Sequence, residues 1–172
     1  MMSAQIILVL DNLRSCHNVG SLIRTANGFN CLQFVFLGTT PYPEIKNDHR
    51  LPHQINRQAK QIHKTALGSE LMIEGQYFQS ANLFLKHKKS LPLLCLEKTD
   101  KSQSLVSYAI EKSSFYLVVG SEVNGISSIL LDKADHHLDI PMLSVKKSFN
   151  VTIATAIALY HLRYQNLFKL NG

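Results

Sequence analysis

Three short stretches carry polar residues that a plain connector would not need. The first holds Asn18 and Arg24, the second runs from Gly120-Ser121-Glu122 to Gly125, and the third runs from Ile140-Pro141-Met142 to Ser148 and Asn150. In an open parallel sheet, loops of this kind gather at the carboxyl ends of the strands, where ligands bind. Glycines there let a backbone approach a ligand closely. The first strand is not followed by GxGxxG, and no GxxxxGK[ST] occurs, so neither a dinucleotide fingerprint nor a P-loop is supported. There is also no GxSxG elbow for a serine hydrolase. Cys16, Cys31 and Cys95 are odd in number and form no CxxC, which argues against a disulfide framework or a zinc site and suits a reducing cytoplasm. No HExxH or comparable spacing accompanies His136 and His137, which read as surface or strand-edge residues. No metal site is expected.

A second kind of chemistry is electrostatic. The formal net charge is +6, and a basic excess points towards a polyanion partner. Its distribution sharpens the point. Arg57, Lys60 and Lys64 share one helical stripe, while Ile55, Ala59, Ile62 and Ala66 share the apolar one. Lys86, His87, Lys88 and Lys89 form a second cluster, and Lys146 with Lys147 a third.

The elements that must position these residues follow from the apolar runs. Residues 5–10 read as a buried strand, and Asn18 is expected to cap a helix that closes at Gly28. Residues 33–38 form the next strand, so the chain opens with a βαβ unit and a parallel sheet. A Pro-rich, charged loop at 39–52 reads as functional or mobile. The basic helix 53–66, a helix near 78–89, a strand from Leu91 to Leu96 and a helical stretch at 102–112 come next. Strand 115–120, a short helix near 127–133 and a strand ending at Ile140 lead to a last helix from Val151. That helix has almost no polar face over Val151–Leu162 and must be covered all round. The expectation is one α/β domain over residues 1–172 with about six mostly parallel strands. With 45% apolar and 17% charged residues it is an ordinary globular chain. No apolar run approaches the ~20 residues that span a membrane.

The three polar stretches also carry a resemblance. NVGSLIRTA (18–26), LVVGSEVNGIS (117–127) and IPMLSVKKSFNV (140–151) resemble, in order and spacing, the motifs of the SpoU/TrmH family of RNA ribose 2′-O-methyltransferases in the SPOUT superfamily. HKTALGSE (63–70) and the opening LDNLRSCHNVG extend the likeness over essentially the whole chain. The resemblance implies a C-terminal trefoil knot, against the general rarity of knots, and S-adenosylmethionine bound by the turns at 120–125 and 140–149. It places Gly120, Ile140 and Phe149 at cofactor contacts, with Leu96 and Met142 beside them. It carries over Asn18, Arg24, Glu122, Ser148 and Asn150 as active-site positions.

In two places the chain departs from the family. Members usually have Gly two residues after the IPM Met and Leu between the Ser and Asn; here these are Ser144 and Phe149. Phe149 still offers a backbone N–H and an apolar side chain. The N-terminal RNA-binding extension of many members has no counterpart in this sequence, so RNA contact is expected from loop 39–52, the Arg57–Lys60–Lys64 stripe and the 86–89 cluster. The family pairs its subunits through knot-proximal helices, which implies a homodimer. A compact RNA suits a small footprint, with tRNA ahead of ribosomal RNA. An arginine is a poor base, since lowering a guanidinium pKa from about 13 to 7 costs about 8 kcal/mol. Arg24 therefore reads as an orienter and alkoxide stabiliser. Two other readings remain: the same fold holding RNA without chemistry, and transfer to a base, as in other SPOUT families whose motifs match less well.

Overall fold

A computed structural model describes residues 5–110, 114–143 and 148–168, the last three as backbone only. Ser144, Lys146 and Lys147 lie outside the described residues. So does part of the path that the expected knot requires.

The chain runs β1 (Gln5–Asp11), α1 (Cys16–Gly28), β2 (Gln33–Leu37), α2 (Pro52–Ala66), β3 (Glu74–Phe78), α3 (Ala81–His87), β4 (Leu93–Leu96), β5 (Gln103–Ser104), β6 (Ser114–Gly120), α4 (Ser128–Asp132), β7 (His136–Asp139) and α5 (Val151–Phe168). The strands form one sheet of seven in the order β3-β2-β1-β6-β4-β7-β5, with every pairing parallel. Alternation along β1 sorts the two faces. Ile6, Leu8 and Leu10 join the core shared with α1, α2 and α5, whereas Ile7 and Val9 join the one shared with α3 and α4. Buried on both sides, the central strands read as unbroken apolar runs, as a covered parallel sheet requires.

The sheet has seven strands where about six were expected. β3 and β5, the two edge strands, are the ones the sequence did not announce, and β3, of sequence EGQYF, buries no residue. Of the helix expected at 102–112, the described residues 102–110 are not α-helical. They give the two-residue strand β5, a single 3-10 turn at Leu105–Ser107 and irregular chain to Ile110. The cap of α1 is also corrected. Ser15 is the N-cap, its hydroxyl accepting from the Asn18 N–H at 3.2 Å, so Asn18 sits inside the first turn with its side chain free for other work.

Loop 39–52 is pinned. Arg50 donates to Asp48 at 2.9 Å, to the Tyr42 carbonyl at 2.9 Å, to the Pro43 carbonyl at 3.0 Å and to Gln58 at 2.6 Å. Its guanidinium carbon lies 3.6 Å from the Tyr42 ring centroid, and Tyr42 stacks on Tyr77 of β3. One cation thereby satisfies carbonyls that a Pro-rich loop cannot pair with itself. His136 and His137 are half-buried on β7, which lies between two strands. The His137 ring nitrogens reach the Thr99 hydroxyl at 3.0 Å and the Leu131 carbonyl at 3.1 Å.

Candidate active site

A cleft of about 770 Å³ opens at the carboxyl ends of β4, β6 and β7. Three segments distant in sequence build it. From β6 comes the turn Gly120–Gly125, closed by paired backbone bonds: Ser121 N–H to the Gly125 carbonyl at 3.1 Å, and Gly125 N–H back to Ser121 at 2.9 Å. The turn fits only glycine at its crossing. A Cβ on Gly120 would overlap the Gly125 backbone, and Gly125 itself has a φ of +66°. The Ser127 N–H, just beyond, donates to the buried Asp11 carboxylate at 2.7 Å, which ties the turn to the end of β1.

Ile140 and Met142 follow β7 into the cleft lining, as do Ser148, Phe149 and Asn150 ahead of α5. Asn150 caps α5. Its Oδ1 accepts from the Thr152 N–H at 2.9 Å, while its carbonyl takes the Ala154 N–H at 2.9 Å. Leu96 lines the cleft from β4. All five positions expected at the cofactor, together with Glu122, Ser148 and Asn150, therefore surround one cavity.

Asn18 and Arg24 do not line it. Asn18 reaches it indirectly, its Nδ2 donating to Glu122 Oε1 across 104 residues of sequence. Arg24 is exposed on α1, not packed among its apolar neighbours, and no hydrogen bond or ion pair engages it among the described residues. α1, which carries Asn18, meets α2 closely. A Cβ on Gly20 would overlap the Thr65 hydroxyl and the Ile62 carbonyl of α2, and Thr65 donates to the His17 carbonyl at 2.9 Å.

Through that contact α2 brings its basic stripe beside the start of α1. Arg57, Lys60 and Lys64 are all exposed. Burial pushes the Cys16 thiol up, and the nearby Arg57 guanidinium pulls it back in part. The 86–89 cluster is arranged differently. α3 lies on the opposite face of the sheet from α2, and Lys88 is folded back, donating to the Leu91 carbonyl at 2.9 Å. On α5, Ile153 (51% exposed), Ile157 (36%) and Tyr160 (52%) share an uncovered stripe.

Sequence reasoning missed two carboxylates in the lining, Glu97 and Asp139. Glu97 was findable: it is the first polar residue after the apolar run that ends in Leu96, the same placement that singled out the other loops.

A model of the SpoU rRNA Methylase family matches residues 5–160. The chain is similar to the 23S rRNA (guanosine(2553)-2'-O)-methyltransferase RlmP of Bacillus subtilis (strain 168), 43% identical over 53 residues, which cover 31% of this chain and 21% of that protein. It is also similar to a tRNA (guanosine(18)-2'-O)-methyltransferase of Borreliella burgdorferi, 26% identical over 156 residues, covering 90% of this chain and 64% of that one. The chain thus spans less than two thirds of the length of either relative. Among solved structures, an AdoMet-bound rRNA methyltransferase from Sinorhizobium meliloti superposes with a TM-score of 0.77 at 19% identity, covering 96% of this chain and 57% of that one. That likeness is one of fold.

Proposed function

The chain belongs to the SpoU rRNA Methylase family, and from that membership we propose that it is an S-adenosylmethionine-dependent RNA methyltransferase acting on a ribose 2′-hydroxyl. The observation that carries the reading is convergence: the 120–125 turn, the segment after β7 and the start of α5 meet in one cleft, with Asn18 bonded to Glu122 at its edge.

The residues present suit the cofactor. The cavity falls within the ~300–1,000 Å³ of small-molecule sites. Leu96, Val119, Ile126, Leu138 and Ile140 offer an apolar wall for an adenine, and the glycine crossing leaves backbone groups free of side-chain bulk. When bound, the cofactor supplies an electrophilic methyl group. Leu96, Gly120, Ile140, Met142 and Phe149 hold it. Arg24, exposed and uncommitted, orients the substrate and stabilises the negative charge that grows on the ribose oxygen. Asn18, fixed through its Nδ2 by Glu122, keeps its carbonyl oxygen for Arg24 or the substrate. Ser148 and Asn150 position the ribose and the loop.

RNA is the substrate, with tRNA ahead of ribosomal RNA because the footprint is small. The exposed Arg57–Lys60–Lys64 stripe beside α1 supports phosphate contact there. The 86–89 cluster, on the other face of the sheet, is set aside as part of the same surface. A homodimer would cover the Ile153–Ile157–Tyr160 stripe of α5. Cys31 and Cys95 are buried free thiols, which suits a reducing cytoplasm, and no described helix is long and apolar enough to cross a membrane. Incubation with radiolabelled S-adenosylmethionine and total RNA, followed by nucleoside analysis, tests the reading.

A further inference from the structure

Glu97 has none of the roles assigned above, yet its side chain stands in the cleft. It follows β4 at the carboxyl edge of the sheet, where its backbone N–H donates to the Leu138 carbonyl at 3.0 Å. Half-buried, it holds the glycine turn from below: Oε2 accepts from the Ile126 N–H at 3.2 Å, and a Cβ on Gly125 would stand 2.5 Å from the same oxygen. Among the described residues no hydrogen bond reaches the other oxygen, Oε1. One oxygen pinned and one open makes an acceptor of fixed direction, at the seam between the apolar wall and the polar turn.

A vicinal diol offers two O–H donors close together, and a carboxylate near the carboxyl end of a parallel strand is the group that takes a ribose diol in dinucleotide-binding sheets. Charge-assisted bonds of this kind are the strong ones. We propose that Glu97 binds the ribose hydroxyls of S-adenosylmethionine through its open carboxylate oxygen. This rests on the cofactor reading of the cleft. Glu97 then joins two tasks: it braces the Gly120–Gly125 turn and it selects an adenosine ribose.

The test is calorimetry on the full chain with two probes, S-adenosylhomocysteine and its 2′,3′-dideoxy analogue. Wild-type protein should bind the first and lose about 30-fold on the second, the size of a charge-assisted hydrogen bond. Glu97→Gln keeps an oxygen for the Ile126 N–H, so the turn should survive, as an unchanged melting temperature would record. It should bind S-adenosylhomocysteine about 10-fold more weakly and discriminate between the probes by less than about threefold. Two results would overturn the assignment. One is a variant that discriminates as wild type does. The other is a variant that weakens both probes equally, which would leave Glu97 a brace and nothing more. Wild-type protein that binds neither probe overturns the cofactor reading, and this assignment with it.

Discussion

Asn18 donates its side-chain amide to the Glu122 carboxylate, joining the first turn of α1 to the turn after β6. Ser15, not Asn18, caps the helix, so the Asn18 side-chain oxygen stays free while its amide nitrogen binds Glu122. Were Asn18 the cap, its side-chain oxygen would be turned onto its own backbone. The first and second polar stretches, joined across 104 residues of sequence, are therefore one unit in space.

The unit should behave as one in kinetics. Asn18→Ala and Glu122→Ala should each lower methyl transfer by about 100-fold, the scale of a lost positioning or electrostatic contact. The double variant should cost no more than the worse single one, because each single change already removes the shared bond. Both side chains lie at the surface, so urea midpoints should barely move. Additive losses in kcat/KM would show that the two residues act separately.

Gly20 should prove structural. A Cβ there must push α2 away from α1, and overpacking of this kind costs about 1–3 kcal/mol. Gly20→Ala should lower the urea midpoint at unchanged slope, and Gly20→Val should lower it further. The shift would also move the basic stripe relative to α1, so RNA affinity should fall more than cofactor affinity.

Arg50 and Asp48, with side chains 13% and 4% exposed, should anchor loop 39–52. Hydrogen bonds from Arg50 hold the Asp48 carboxyl below the usual carboxylate range, against the opposing effect of burial. A carboxylate depressed in this way stabilises the fold above its unfolded value of about 3.9, and the contribution is lost as pH falls through the lower folded value. Arg50→Ala should cost about 3 kcal/mol at pH 7, since it strands a buried carboxylate. Asp48→Asn should be less stable than wild type at neutral pH, with the gap closing below about pH 4. A gap that is the same at pH 3 and pH 7 would rule the ion pair out as its source.

The stripe on α2 should report through salt. Each phosphate contact contributes about −0.7 to −0.9 to the slope of log affinity against log salt. Replacing Arg57, Lys60 and Lys64 together by Ala should flatten that slope by about two to three units and leave cofactor binding untouched. Replacing Lys86 and Lys89, on the far face of the sheet, should change it little.

The sequence made the central sheet and the cleft legible because buried parallel strands leave apolar runs, and because polar residues just past those runs mark the ligand edge. Ile140, Met142 and Phe149 were reachable in this way together with the family motifs. The edge was not. β3 buries no residue, and a strand half in water has no period strong enough to read. The 102–112 stretch carries helix-compatible residues, but pairing with β7 draws Gln103 and Ser104 into the sheet. Loop 39–52 read only as functional or mobile because its anchor, Arg50, is one charge among many in the sequence and becomes special only through four partners brought together by folding. Helix α5 shows the reverse case: its all-round apolarity was plain, and the stripe it leaves uncovered follows from it.

The proposed reaction is transfer of a methyl group to a ribose oxygen in the cleft that Asn18 and Glu122 border. The most direct measurement supplies methyl-labelled S-adenosylmethionine and unmodified tRNA transcripts, then hydrolyses the RNA with alkali. Label is expected in a dinucleotide that resists cleavage, because a 2′-O-methyl group removes the attacking hydroxyl. Arg24→Ala should abolish that product while binding S-adenosylhomocysteine nearly as wild type does. Label on a base, or transfer to a transcript with 2′-deoxyribose at the target position, would contradict it.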